Sequence, residues 1–295
     1  MRPRTVRALT MAAILALVAS TAAAAGARPQ RVVSMNLCTD QLVLLLAARG
    51  RIASVSYLAF DPEVSYFANT AQELQANHGL YANHGLAEEI LPLGPDLILA
   101  GTYTTRATVA VLRRFGHRVL RLEPADGFDA IRKNIRTVAR ALGETAKAER
   151  IIAAFDRRLS AVAPDRDATT PRAIVLQPRG MTTGPGSLAD GILRAAGLLN
   201  LSADLGVTGM GFLPLERIIQ AEPDLLVVAA RPEGRPSLAH QALRHPAYAA
   251  VNRAQRIELP AGLWTCGGPQ AADAVEILAR AAHDWRRATD TGLKP

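Results

Sequence analysis

"AEEILPLGPDLILA", Ala87 to Ala100, decides the fold because the chain carries a counterpart to it, "LERIIQAEPDLLVV", Leu215 to Val228. In each stretch a Glu is followed by apolar residues, a Pro-Asp pair and an apolar run that reads as a buried strand. Glu216 stands 128 positions after Glu88, and Asp224 stands 128 after Asp96 (216 − 88 and 224 − 96). One short unit built twice at that distance predicts two similar halves.

The surroundings of both copies agree. "RVVSM" (31–35) and "RIASVS" (51–56) read as strands, with a helix "TDQLVLLLAARG" between them, capped by Thr39 or Asp40 and stopped by Gly50. "PDLILAG" and "HRVLRLE" read as strands around the helix "ATVAVLRRFG". "FDAIRKNIRTVARAL" places Phe128, Ile131, Ile135, Val138 and Leu142 on one helical face. After Gly143 a further helix of about 20 residues, about 30 Å long, carries a stripe of Ala148, Ile151 or Ile152, Phe155, Leu159 and Val162. Beyond Pro164 and Pro171 the alternation restarts with "RAIVLQ", "GPGSLADGILRAAG", "LERIIQAEPDLLVVAA", "RIELP" and a closing helix. Strands alternating with helices predict parallel sheets. The expected fold is α/β: an N-terminal lobe over 28–142, a linking helix over 143–164 and a C-terminal lobe over 165–295.

The first 27 residues stand apart. Arg2, Arg4 and Arg7 precede an apolar run and a small-residue stretch, the layout of a secretory signal peptide cleaved after Ala25 or Ala27. No later segment is apolar enough to span a bilayer. The formal net charge of +8 includes those three arginines, which leaves the mature chain near +5. Its basic residues are scattered among acids, with no basic run interleaved with aromatics, which argues against nucleic acid as a partner. The two cysteines, Cys38 and Cys266, suit one disulfide in an oxidising compartment; two separate thiols are the alternative.

Together "RVVSMNLCTDQLVLLLA", "GLAEEILPLGPDLILAG", the long helix, "GPGSLADGILRAAGLLN" and "LERIIQAEPDLLVV" resemble the periplasmic substrate-binding proteins of ABC importers, of the helical-backbone type that serves cobalamin, haem and ferric siderophores. The resemblance runs from Arg31 to Trp285 and implies a binding protein, not an enzyme, with no cofactor of its own. It implies a monomer that holds a metal chelate between its lobes and delivers it to a permease and its ATPase subunits. One exposed acid per lobe docks on the permease. By position these are Glu88 and Glu216, with Glu89 leaving the first register open.

Ligand-facing residues are expected at the C-terminal ends of strands. These are Met35, Asn36, Leu37, Tyr57, Tyr103, Thr104 and Arg106 in the first lobe, and Arg179, Met181 and Trp264 in the second. Trp264 and Tyr103 suit stacking on a flat macrocycle, and Arg106 and Arg179 suit bidentate pairing with ligand carboxylates; loop packing and solvated charge are the plain alternatives. The echo "ANHGLYANHGL" (76–86) reads as a surface loop, with His78, Tyr81 and His84 at no usual metal spacing. Ser187 reads as a helix cap and not as part of a phosphate loop. An exported enzyme is the rival reading, but there is no Gly-x-Ser-x-Gly or His-Glu-x-x-His motif and no Gly-x-Gly-x-x-Gly turn after the first strand. A Cys38 nucleophile remains open unless Cys38 is disulfide-bonded. A receptor for a bare metal ion needs several converging His or carboxylate side chains. Among chelates the residues favour cobalamin or a ferric siderophore over haem, for which Tyr57 or His84 would be the axial donor.

Overall fold

The computed structural model describes residues 28–104, 106–162, 169–177, 180–230 and 255–291. The expected signal peptide and Arg179 lie outside them. The first sheet has five parallel strands in the order β3-β2-β1-β4-β5: β1 (Val32–Ser34), β2 (Ile52–Ser56), β3 (Tyr81–Asn83), β4 (Leu97–Gly101) and β5 (Val119–Leu122). The second has four parallel strands in the order β11-β10-β6-β8: β6 (Arg172–Leu176), β8 (Leu199–Asn200), β10 (Leu225–Ala229) and β11 (Gln255–Leu259). A two-stranded antiparallel ribbon, β7 (Met181–Thr183) with β9 (Met210–Phe212), accompanies it. This is the mixed α/β architecture of two lobes that the sequence predicts.

The repeated unit owes its form to its Pro-Asp pair. The Asp96 carboxylate accepts from the backbone N–H groups of Gln30 (2.6 Å) and Arg31 (3.0 Å), and so fixes the start of β1. The Asp224 carboxylate accepts from Arg172 N–H (2.7 Å) and fixes the start of β6 in the same way. Arg31 and Arg172 each return a side-chain bond, to the carbonyls of Leu93 and Glu222. The residue before each Pro is left-handed: Gly94 at φ 56° and Glu222 at φ 46°. Acids that bond strand-start amides satisfy backbone groups that would otherwise be left over at the sheet margin.

Nine α-helices are described: α1 (Leu37–Leu46), α2 (Ala68–His78), α3 (Ala87–Ile90), α4 (Arg106–Arg114), α5 (Phe128–Leu142), α6 (Thr145–Ala161), α7 (Leu188–Ala195), α8 (Leu215–Ala221) and α9 (Ala271–Asp290). Two expectations about α1 need correction. Its cap is Asn36, whose side chain accepts from Thr39 N–H at 3.0 Å, while Thr39 and Asp40 lie inside the helix and are buried. It ends at Leu46, short of Gly50. Ser187 caps α7 as expected, accepting from Asp190 N–H at 3.2 Å.

The echo "ANHGLYANHGL" is not a loop. Its first copy is the end of α2, closed by left-handed Gly79, and its second is β3 running into left-handed Gly85. The pentapeptide Ala-Asn-His-Gly-Leu is the same twice, but one copy closes a helix and a sheet neighbour flanks the other.

Helix α6 joins the two sheets. It buries Ala148, Ile152 and Phe155, and the Phe155 ring meets Phe128 of α5 edge-on at 5.7 Å. At its N-terminus Arg51 pairs with Glu144. Near its C-terminus Arg158 pairs with Asp273 and Glu276 of α9. One continuous cluster of buried apolar residues runs from Val32 and Leu97 of the first sheet through Phe155 to Val175 and Val227 of the second.

Candidate functional site

A cavity of about 470 Å³ opens at the C-terminal ends of the first sheet's strands. That is where side chains leave the strands for loops in a parallel sheet. Met35, Asn36 and Leu37 follow β1, Tyr57 follows β2, His84 follows β3, and Tyr103 and Thr104 follow β4; all seven line it. The opposite wall is Thr265, Cys266 and Gly267, which lead toward α9.

Asn36 and Thr104 shape the floor. Asn36 Nδ2 donates to Thr104 Oγ1 (3.0 Å), and the same hydroxyl accepts from Gly101 N–H (2.9 Å). A Cβ on Gly101 would lie 2.2 Å from Asn36 Nδ2, so only glycine admits this arrangement. The network holds the turn that presents Tyr103, 89% exposed.

Beneath the floor lies Asp40, fully buried in α1. It accepts from Ser56 N–H (3.1 Å) and from Ser56 Oγ–H (2.5 Å). Burial pushes its carboxyl up to about 6, against the opposing pull of hydrogen bonds from Ser34 and Ser56. The second lobe repeats the device: Asp190 of α7 accepts from Asn200 Nδ2 at the end of β8 (3.0 Å). Neither tie was read from the sequence, which shows acids in helices but not which strand end each one reaches.

His84 stacks on Tyr57, with ring centroids 5.0 Å apart and planes 25° apart. Its Nδ1 lies 2.8 Å from Glu89 Oε1, and its backbone N–H donates to Glu89 Oε2 at 2.6 Å. Burial works against the Glu89 charge, yet these bonds and one from Leu86 N–H hold its carboxyl below the usual range. So Glu89 is turned inward to cap α3, while Glu88 is exposed. Glu216, in the first turn of α8, is exposed likewise.

Cys38 and Cys266 form a disulfide, with Cα atoms 5.1 Å apart, in the cavity wall. A bonded Cys38 cannot act as a thiolate nucleophile, which removes that enzyme reading. Among the described residues no group of three or more His, Cys, Asp or Glu side chains converges to hold a metal ion.

Three expected ligand-facing residues fall elsewhere. Trp264 is buried in the main core and does not line the cavity: it ends the tight turn Ala261–Leu263 and tucks inward, leaving Thr265 and Cys266 to face the opening. Arg106 begins α4 on the exposed surface, outside the lining. Met181 sits in the β7–β9 ribbon opposite Phe212, also outside it. His84, which the sequence placed in a surface loop and named with Tyr57 as the donor a haem would need, lines the cavity.

Comparison with known proteins agrees with this architecture. Residues 32–263 match the periplasmic binding protein family. A cobalamin-binding protein of Halobacterium salinarum is 29% identical over 212 residues, 70% of this chain; the chain spans just over half of that relative, 56%. Among solved structures, the periplasmic haem-binding protein RhuT from Roseiflexus superposes with a TM-score of 0.67 at 24% identity, covering 86% of this chain and 98% of that one. The periplasmic vitamin B12 binding protein BtuF of Vibrio cholerae superposes with a TM-score of 0.63 at 18% identity, covering 87% and 98%. With residues 32–263 matched in this way, most of its length, the chain belongs to the periplasmic binding protein family.

Proposed function

We propose that this protein captures a metal chelate, a corrinoid or a ferric siderophore, in the cavity at the ends of β1 to β4 and delivers it to an ABC import permease. The observation that carries this reading is the cavity itself: an open site walled by exposed Tyr103, stacked Tyr57 and His84, and a disulfide-fixed segment. Flat, rigid ligands bind by apolar and aromatic area with a few placed polar groups, which is what these walls offer. The cobalamin-binding relative supports a corrinoid.

In this reading the lobes take the limits 28–142 and 165–295, with 143–164 between them. The chain works as an exported monomer in the periplasm after loss of its leader, and it is a carrier and not an enzyme. No described helix is long and apolar enough to cross a membrane. Glu88 and Glu216 are the permease contacts; their exposure and equivalent positions at the heads of α3 and α8 support this. Met35, Asn36, Tyr57, Tyr103 and Thr104 serve the ligand, with Arg179 kept as the expected carboxylate partner, whereas Arg106, Met181 and Trp264 lie outside the cavity lining. A haem ligand is the second reading, favoured by His84 in the cavity wall.

The test is titration of the purified protein with cyanocobalamin, a ferric hydroxamate and haemin by visible absorbance and calorimetry. One of them binds at about 1 μM or tighter, about −8 kcal/mol; failure of all three would overturn the reading. Glu88→Ala with Glu216→Ala leaves that affinity unchanged and impairs uptake in cells, because the acids act on the encounter with the permease.

A further inference from the structure

We infer that the outer face of α4 and β5 is a docking surface for an anionic phospholipid bilayer. The surface is independent of the chelate; its use in uptake rests on the functional reading above.

Charge is the first observation. Most of the chain scatters basic residues among acids, but Leu97 to Leu122 holds Arg106, Arg113, Arg114, Arg118 and Arg121 and no Lys, Asp or Glu. That +5 equals the formal charge of the whole chain without its leader (+8 less three arginines), so the remaining charges cancel. All five side chains belong to exposed residues. Among the described residues none of the five pairs with an acid, whereas Arg49, Arg136 and Arg158 elsewhere all do.

The fold gathers them. Thr108, Val109 and Leu112 bury one side of α4, which leaves Arg106, Arg113 and Arg114 together on the outward side. Arg113 Nη2 also donates to the Val119 carbonyl of β5 (3.4 Å), and Val119 packs with Val109 and Leu112 in one apolar cluster. Side chains alternate along a strand, so Arg121 leaves β5 on the same side as Val119, toward α4.

Apolar exposure is the second observation. Beside the arginines stand Val111, 39% exposed, and Phe115, 67% exposed. Phe115 N–H still donates to the Val111 carbonyl (3.0 Å), so the two sit one turn apart on one side. β5 is an edge strand, and edge protection would explain Arg118 and Arg121. It does not explain three arginines and a protruding Phe ring on the helix. A bilayer surface answers both features: it spreads phosphate charge over a plane with an apolar layer just beneath. An acidic protein would answer the charge alone. Ile90 of α3, the helix that bears Glu88, lies in the same cluster as Val109 and Leu112, so the lipid surface adjoins the proposed permease contact.

The experiment is co-sedimentation of the mature protein with vesicles of phosphatidylglycerol and phosphatidylethanolamine, or of phosphatidylcholine alone. Wild type partitions onto the anionic vesicles at low ionic strength, is released by added salt, and does not bind phosphatidylcholine. Arg114→Gln with Arg118→Gln weakens partition about 20- to 30-fold, at about fivefold per arginine. Phe115→Ala weakens it about threefold or more. Arg49→Gln with Arg136→Gln removes the same charge elsewhere and stays within about threefold of wild type. Equal binding to both vesicle types, binding to neither, or an equal effect of the two arginine pairs overturns the inference. Binding to neither while this face cross-links to the permease overturns it too and assigns the face to protein. Chelate titration reads the functional reading separately: these variants leave chelate affinity unchanged, and a wild type that binds no chelate leaves the lipid result standing.

Discussion

Asp40 shows how much one side chain decides beneath the cavity. It is fully buried, and its carboxyl is pushed up from 3.8 to about 6. Its neutral form is therefore the one the fold prefers. The stability it contributes is fully present below about pH 4 and is lost as pH rises through about 6; the loss is on the order of 3 kcal/mol for a shift of this size. Asp40→Asn keeps an acceptor for Ser56 N–H and does not ionise. Urea denaturation of both proteins across this range will show the wild type losing stability relative to Asp40→Asn between pH 4 and pH 6.5. Parallel curves would mean that Asp40 does not titrate there. This site was illegible in the sequence, where Asp40 reads as an ordinary helix-start acid; only the placement of Ser56 at the end of β2 buries it.

At the scale of the element, the repeated Glu-to-Pro-Asp unit was the legible part. Its copies are alike because each must end a helix, turn through a left-handed residue and anchor a strand within a few residues. The second copy uses Glu222 where the first uses Gly94, and a side chain in that conformation costs about 1–2 kcal/mol. Glu222→Gly relieves it and gives back part of the gain as unfolded-chain entropy, so it will stabilise by about 0.5–1 kcal/mol in thermal or urea unfolding. Gly94→Ala goes the other way and will destabilise by about 1 kcal/mol or more. The β7–β9 ribbon was not legible: "MTT" and "MGF" are three residues each, too short for alternation to register, and their pairing is long-range. Trp264, expected either on the ligand or in loop packing, was open for a related reason. Rarity of aromatics drew notice to it, but the direction of its side chain is set by the turn Ala261–Leu263 and by the core behind it.

For the whole molecule, two ties set how the lobes sit. The disulfide joins α1 of the first sheet to the segment entering α9, across 228 residues of sequence. Closing so long a loop restricts the unfolded chain, and its loss typically costs about 2–4 kcal/mol. Cys38→Ser with Cys266→Ser will lower stability by that amount in urea unfolding, and weaken chelate binding by several-fold, because Thr265–Gly267 form a wall of the cavity. Full affinity in that variant would show that the wall holds without the bond. Beneath it Gln270 Nε2 donates to Gln41 Oε1 at 3.0 Å, a second contact between the same two segments.

Helix α6 is held at both ends, by Arg51 on Glu144 and by Arg158 on Asp273 and Glu276, with an unbroken apolar interior along it. A carrier braced like this has little spring of its own. On the proposed reading, separating the halves would fall to whatever grips them from outside and not to the helix between them.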